Sequence, residues 1–230
     1  KIKSILLLMI TIFIVIFSSE GIFSLAQNND IFFKNGSRNE KLIALTFDDG
    51  PHPKETYEIL NILNKYNVKA TFFVVGKHAN WYSKPLIEAS KEGHEIGNHT
   101  FSHPDISNLS SDDIKKEIKE CEDALIKLTG KKPTLFRPPY GSYGKDQLGE
   151  IAKECGYKII LWTSIDAKDW KNPPSAQISN TIINKVQNGD IILLHDYGTE
   201  NTVQALDVII PTLTKEGYKF VTVSELIGEN

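Results

Sequence analysis

The stretch Leu45-Thr46-Phe47-Asp48-Asp49-Gly50-Pro51 decides the fold. An apolar run over residues 42–47 stops at two adjacent carboxylates, and a Gly-Pro turn signal follows at once. An apolar strand that ends in charge and then turns is how α/β folds present chemistry at the carboxyl edge of a sheet. Two neighbouring carboxylates there are electrostatically costly unless something positive binds beside them. What supplies that positive charge is the question the rest of the chain answers.

Outward from this strand, short apolar runs alternate with amphipathic ones. Strands are predicted at 42–47, 70–75, 95–98, 134–137, 158–164, 190–195 and 218–223. Helices are predicted at 54–66, 85–92, 110–129, 145–155, 175–186 and 201–216, with a terminal turn at 224–227. The longest helix has Ser111 as its expected N-cap and Gly130 as its C-cap. The strands are continuously apolar, as strands buried on both faces are. About seven strands alternating with helices, without a Rossmann glycine fingerprint, predict an α/β fold whose strands close or nearly close into a (β/α) barrel. The alternative is an open doubly wound sheet.

In a parallel barrel the strand C-termini share one face. The residues predicted there are Asp48 and Asp49, His99 and His103, Arg137, Asp166 and Asp169, and His195 and Asp196. His99-Thr100-Phe101-Ser102-His103 has histidines at i and i+4, and one helical turn would put both rings on one side. With a carboxylate from another strand they form a His-His-Asp metal site with room left for water. Asp48 and Asp49 point to opposite sides if the chain is still extended, so one can bind metal while the other meets the water. Arg137 adds a second positive charge.

Composition bounds the remaining choices. The chain has 230 residues, 40% hydrophobic and 24% charged, which suits one domain with a sizeable core once a targeting segment is set aside. Residues 1–26 begin with Lys1 and Lys3, continue through a long apolar run and reach Ser24-Leu25-Ala26, the pattern of an export signal or an uncleaved N-terminal anchor. Residues 27–40 are polar and read as a linker, leaving 41–230 as the catalytic domain. Taking away a segment with Lys1, Lys3 and Glu20 reduces 26 basic and 29 acidic residues to 24 and 28, a net charge of −4. Nothing in that balance invites nucleic acid as a partner, and the expected contact with a membrane is only through the N-terminal segment if it stays uncleaved. Cys121 and Cys155 fall in helical patterns and read as two small buried thiols, with one disulfide as the alternative.

TFDDGP, HTFSH, RPPYG at 137–141, DAKDW at 166–170 and LLH at 193–195 occur in this order. The set resembles the polysaccharide deacetylases of carbohydrate esterase family 4, the NodB homology domain, over roughly residues 40–225. The resemblance implies a distorted (β/α) barrel with about seven parallel strands. It implies Asp48 as general base, and Asp49, His99 and His103 as ligands of a divalent metal. Zinc suits two imidazoles and a carboxylate, with cobalt, nickel or manganese as alternatives. Arg137 would orient Asp48, and the backbone N–H of Tyr140 would help bind the oxyanion. Asp169 would tune His195, the general acid, while Trp170 and Leu193 would line the groove and the acetyl pocket.

The expected function is removal of N-acetyl groups from an N-acetylglucosamine-containing polysaccharide outside the cytoplasm, by a monomer. Peptidoglycan comes first as substrate and chitin-like oligomers second. The alternatives are an esterase acting on O-acetylated xylan and an inactive carbohydrate-binding homologue.

Overall fold

A computed structural model describes residues 31–143 and 147–229. The predicted export segment, the first residues of the linker and the start of the helix expected at 145–155 lie outside the described residues. Among the described residues no helix is long and apolar enough to cross a membrane.

Eight strands are described: β1 (Phe32–Phe33), β2 (Leu42–Asp48), β3 (Thr71–Val74), β4 (Glu95–Asn98), β5 (Leu135–Phe136), β6 (Lys158–Ile160), β7 (Ile191–His195) and β8 (Lys219–Phe220). Seven follow one path, β1-β6-β5-β4-β3-β2-β7, and β8 pairs with Leu42 and Ile43 at the start of β2. Every ladder is parallel. The sheet curls round until Thr163, just past β6, donates its backbone N–H to the Ile191 carbonyl at 3.1 Å. Asp166 then bridges Leu193 in parallel register. The barrel is distorted because β5 and β6 are only two and three residues long and its seam is held by isolated contacts rather than a ladder.

Helices α1 (Glu55–Lys65), α2 (Gly76–Trp81), α3 (Ser83–Lys91), α4 (Ser111–Thr129), α5 (Gln147–Cys155), α6 (Ser175–Ile183), α7 (Glu200–Lys215) and α8 (Val223–Ile227) fill the connections. The alternation of β2 explains the layers. Ile43, Leu45 and Phe47 face outward into a core with Ile59 and Leu63 of α1 and Leu206 and Ile210 of α7. Ala44 faces inward with Phe73, Leu135, Ile160 and Ile191. Each of the Ile, Leu and Phe side chains among these, fully buried, contributes roughly 1.5–3 kcal/mol. Thr46 and Asp48 share Ala44's parity, so the same period that builds the core aims a carboxylate into the barrel. Gly97 of β4 makes room inside, since a Cβ there would lie 2.5 Å from the Phe73 ring.

Four local expectations change. Phe32 and Phe33, expected in a polar linker, pair with β6, and Phe33 is buried in the interior cluster. The folded part therefore begins before residue 41, driven by that apolar pair. A short helix, α2, precedes the predicted one at 85–92. Ser110, not Ser111, caps α4: its backbone is extended and its Oγ accepts from Asp113 N–H at 3.2 Å. The expected terminal turn is helix α8, opened by a Thr222/Glu225 capping box. Gly130 ends α4 at φ 73°, as expected. Both cysteines are free thiols: Cys121 is buried, which pushes it up to about 12 and makes it inert, whereas Cys155, also expected to be buried, is only half-buried.

Candidate active site

Asp48 ends β2 and Asp49 follows at φ 75°, a left-handed conformation. The expected alternation of the two carboxylates therefore does not apply, because the chain has already turned at Asp49. Both side chains line the same cleft. His78 holds the turn: its Nδ1–H donates to the Asp49 carbonyl at 2.6 Å, and its ring stacks on Tyr197 at 4.4 Å and 13°. Gly50 allows the chain to pass over the buried Asp196 carboxylate, which a Cβ would strike. Burial pushes that carboxyl up to about 7, although Thr56 Oγ1 donates to it at 2.6 Å.

His99 and His103 meet, but not on a helix. Thr100 and His103 have φ of 67° and 60°, and the segment is a loop. Asn98 Oδ1 accepts from Thr100 N–H at 2.9 Å, and Thr100 Oγ1 accepts from His103 N–H at 3.0 Å. Glu117 of α4 takes the backbone N–H groups of Phe101 and Ser102 at 2.9 and 2.7 Å. Hydrogen bonds to side chains thus replace the helical ladder, and the two rings sit 4.9 Å apart.

Asp49 Oδ1 lies 3.5 Å from His99 Nε2 and 3.2 Å from His103 Nε2. One donor atom from each residue lies within 4.8 Å of the others. Burial alone would raise the Asp49 carboxyl, but hydrogen bonds to His103 and His99 outweigh it and hold the group far below the usual carboxylate range. Burial likewise opposes charge on His99, yet Asp48 and Asp49 raise it. The His99 Nδ1–H donates to the Arg137 carbonyl at 2.7 Å, which leaves Nε2 for a ligand. Two imidazoles and a carboxylate with their donor atoms already gathered fit a divalent metal.

Arg137 is fully buried and every arm of its fork is used. Nε and Nη2 donate to the Ile160 and Leu161 carbonyls at 3.1 and 3.2 Å. Nη1 donates to Thr46 Oγ1 at 2.8 Å and Asp48 Oδ1 at 2.7 Å. The guanidinium lies 4.0 Å over the Phe73 ring. Asp48 Oδ2 is 3.7 Å from His99 Nε2, so one carboxylate oxygen is anchored and the other faces His99.

His195 ends β7. Its Nδ1–H donates to Asp169 Oδ1 at 2.7 Å, while Asp169 Oδ2 accepts from His195 N–H and Thr202 Oγ1, both at 2.8 Å. Burial disfavours the imidazolium, but Asp169 outweighs it and raises the ring to about 9. Tyr140, Trp170 and Leu193 line the same cleft of about 360 Å³, with Trp162 and Asp166. Tyr140 has φ 60°, and Gly141 follows at φ 64° with Trp162 against it.

Of the residues singled out from the sequence, Asp48, Asp49, His99, His103, Tyr140, Asp166, Trp170, Leu193 and His195 line the cleft, Arg137 and Asp169 lie buried behind it on Asp48 and His195, and Asp196, expected at the same mouth, is buried beneath Gly50 instead. Thr46, His78, Trp162 and Thr202 were missed. Thr46 was within reach, since it shares a strand face with Asp48; the other three come from segments without a motif of their own.

Residues 35–160 match the sequence model of a family described as polysaccharide deacetylase. The peptidoglycan-N-acetylglucosamine deacetylase of Bacillus cereus is 45% identical over 192 residues, 82% of this chain and 89% of that protein. The peptidoglycan-N-acetylmuramic acid deacetylase PdaC of Bacillus subtilis is 43% identical over 82% of this chain, which spans only 39% of that longer protein. The crystal structure of the Bc1960 peptidoglycan N-acetylglucosamine deacetylase, in complex with a hydroxamate-type benzamide, superposes with a TM-score of 0.84 at 37% identity. It covers 88% of this chain and 95% of that one.

Proposed function

Because the chain belongs to the polysaccharide deacetylase family, carbohydrate esterase family 4, we propose that it removes N-acetyl groups from N-acetylglucosamine-containing polysaccharide and releases acetate. Peptidoglycan is the first substrate and chitin-like oligomers the second. The observation that carries this reading is the arrangement around one cleft of an anchored carboxylate, a carboxylate-imidazole ligand set and an Asp-paired imidazole.

Asp49, His99 and His103 would hold the divalent metal, zinc being the best match and cobalt, nickel or manganese alternatives. When bound, it supplies Lewis acidity toward the amide carbonyl and makes water more acidic. Asp48, fixed through Oδ1 by Arg137, takes the proton of the attacking water on its other oxygen. The Tyr140 N–H donates to the oxyanion that develops on the carbonyl. His195 holds its Nδ1 proton against Asp169 and gives the Nε2 proton to the departing amine nitrogen. Trp170, 56% exposed, offers a face to a sugar ring, and Leu193 packs on the acetyl methyl. Residues 1–26 would carry the protein to the extracytoplasmic side, where this substrate lies, and it would act there as a monomer.

Acetate release from peptidoglycan, N-acetylated chitooligosaccharides and acetylxylan tests the assignment. Release from the two N-acetylated glycans, above that from acetylxylan, is the expected result; the reverse order supports the esterase, and no release from any supports the inactive homologue.

A pH profile follows from His195. Its acid form is raised to about 9, so it is present at neutral pH and lost as pH rises through about 9. Asp169→Asn removes the carboxylate that raises it, and the alkaline limb of kcat should move down toward the ordinary histidine value of about 6.5. An unchanged limb would show that His195 does not supply the proton.

A further inference from the structure

Among the described residues, few large apolar side chains stand open to water, and they are unevenly placed. Tyr140 and Trp170 belong to the cleft already described. Trp81 is 62% exposed and Tyr197 36%. These two are joined through His78, whose ring lies 5.3 Å from Trp81 and 4.4 Å from Tyr197. His52 stands edge-on to Tyr197 at 5.0 Å and to Tyr82 at 6.0 Å, which braces the group.

The packing of the fold does not explain Trp81. Helix α2 buries Gly76 and Ala79, and its last residue, Trp81, lies mostly outside. A polar side chain would serve the helix end equally well. The cluster is also tied to the chemistry. His78 donates to the carbonyl of Asp49, and Tyr197 follows His195 by two residues. His78 thus joins the aromatic surface to the turn that presents Asp49, and Tyr197 brings it beside the strand end that carries His195.

We propose that Trp81, His78 and Tyr197 form a further sugar subsite, which takes the apolar face of a neutral N-acetylhexosamine ring further along the strand from the ring being deacetylated. The inference rests on the glycan-deacetylase reading above and adds a second place, away from the reacting ring, where the protein holds its substrate. Aromatic faces pack against the C–H face of a pyranose, and the exposed Lys77 and Asn80 on the same helix offer hydrogen bonds to its hydroxyls. The surface is aromatic rather than a cluster of cations, which suits a neutral ring over an anion.

The test compares the zinc-loaded protein with Trp81→Ala and Trp81→Phe on N-acetylglucosamine dimer and hexamer. Trp81→Ala should raise KM for the hexamer by roughly three- to tenfold and leave the dimer unchanged, with Trp81→Phe between the two. Dimer turnover reports that each variant is folded. Calorimetric binding of both oligomers to zinc-loaded Asp48→Asn, with and without Trp81→Ala, reads the subsite without turnover. Hexamer binding that weakens on Trp81→Ala, in a protein that releases no acetate from either oligomer, upholds the subsite and defeats the deacetylase reading. Equal effects on dimer and hexamer, no effect on either, or a hexamer that binds no tighter than the dimer overturns the subsite.

Discussion

Asp48→Asn is expected to lower kcat/KM by about 10²–10⁴-fold while the protein still takes up one equivalent of metal. The substitution keeps the shape of the side chain, and its carbonyl oxygen can still accept from Arg137 Nη1, which now meets Asp48 Oδ1 at 2.7 Å. What it removes is the second carboxylate oxygen, 3.7 Å from His99 Nε2, and with it the base for water. Asp49, His99 and His103 are untouched, so metal content and turnover should separate. Acetate release together with elemental analysis of the purified variant measures both. Retained full activity would remove Asp48 from the role of base; loss of metal along with activity would make it part of the ligand set instead.

Arg137→Met is expected to destabilise the fold by about 3–5 kcal/mol, because it removes one partner of a buried ion pair. The guanidinium joins Asp48, Thr46 and the carbonyls of Ile160 and Leu161, and it is fully buried over Phe73. Methionine fills part of the space but leaves a buried carboxylate without its counter-charge and two carbonyls without donors. Arg137→Lys should recover only part of the loss, since an ammonium cannot reproduce the planar fork. Urea unfolding measures the effect. A methionine variant as stable as the parent would mean that the buried pair contributes nothing to the fold and serves the site alone.

The parts of the fold that were legible are those where one physical signal dominates. The fully apolar β2 running into Asp48 is one, and β4 at Glu95–Asn98 is another. The gathering of site residues was legible for a topological reason: parallel strands bring their C-termini to one face, so distant motifs converge whatever the loops do. The loops themselves were not. Helical spacing suggested how His99 and His103 meet, but left-handed residues at Thr100 and His103 and the grip of Glu117 bring them together instead. A positive φ at the β-branched Thr100 leaves no compositional mark, and at Asp49 and His103 the mark is only the modest enrichment of their residue types in that region. Phe32 and Phe33 were hidden by polar neighbours, and their pairing depends on a β6 edge that lies far away in the chain. The capping box that opens α8 was readable as Thr222-Val223-Ser224-Glu225 before an apolar pair, a short-range signal outweighed by the brevity of the segment.

Acetate release is expected to need a metal held by Asp49, His99 and His103. The most direct measurement strips the purified protein with a chelator, returns zinc in steps, and follows acetate release from an N-acetylated glycan beside bound metal. Activity should disappear on stripping and return in proportion to zinc until one equivalent is bound. Full activity in the stripped protein, or none with one equivalent in place, would contradict that dependence on metal.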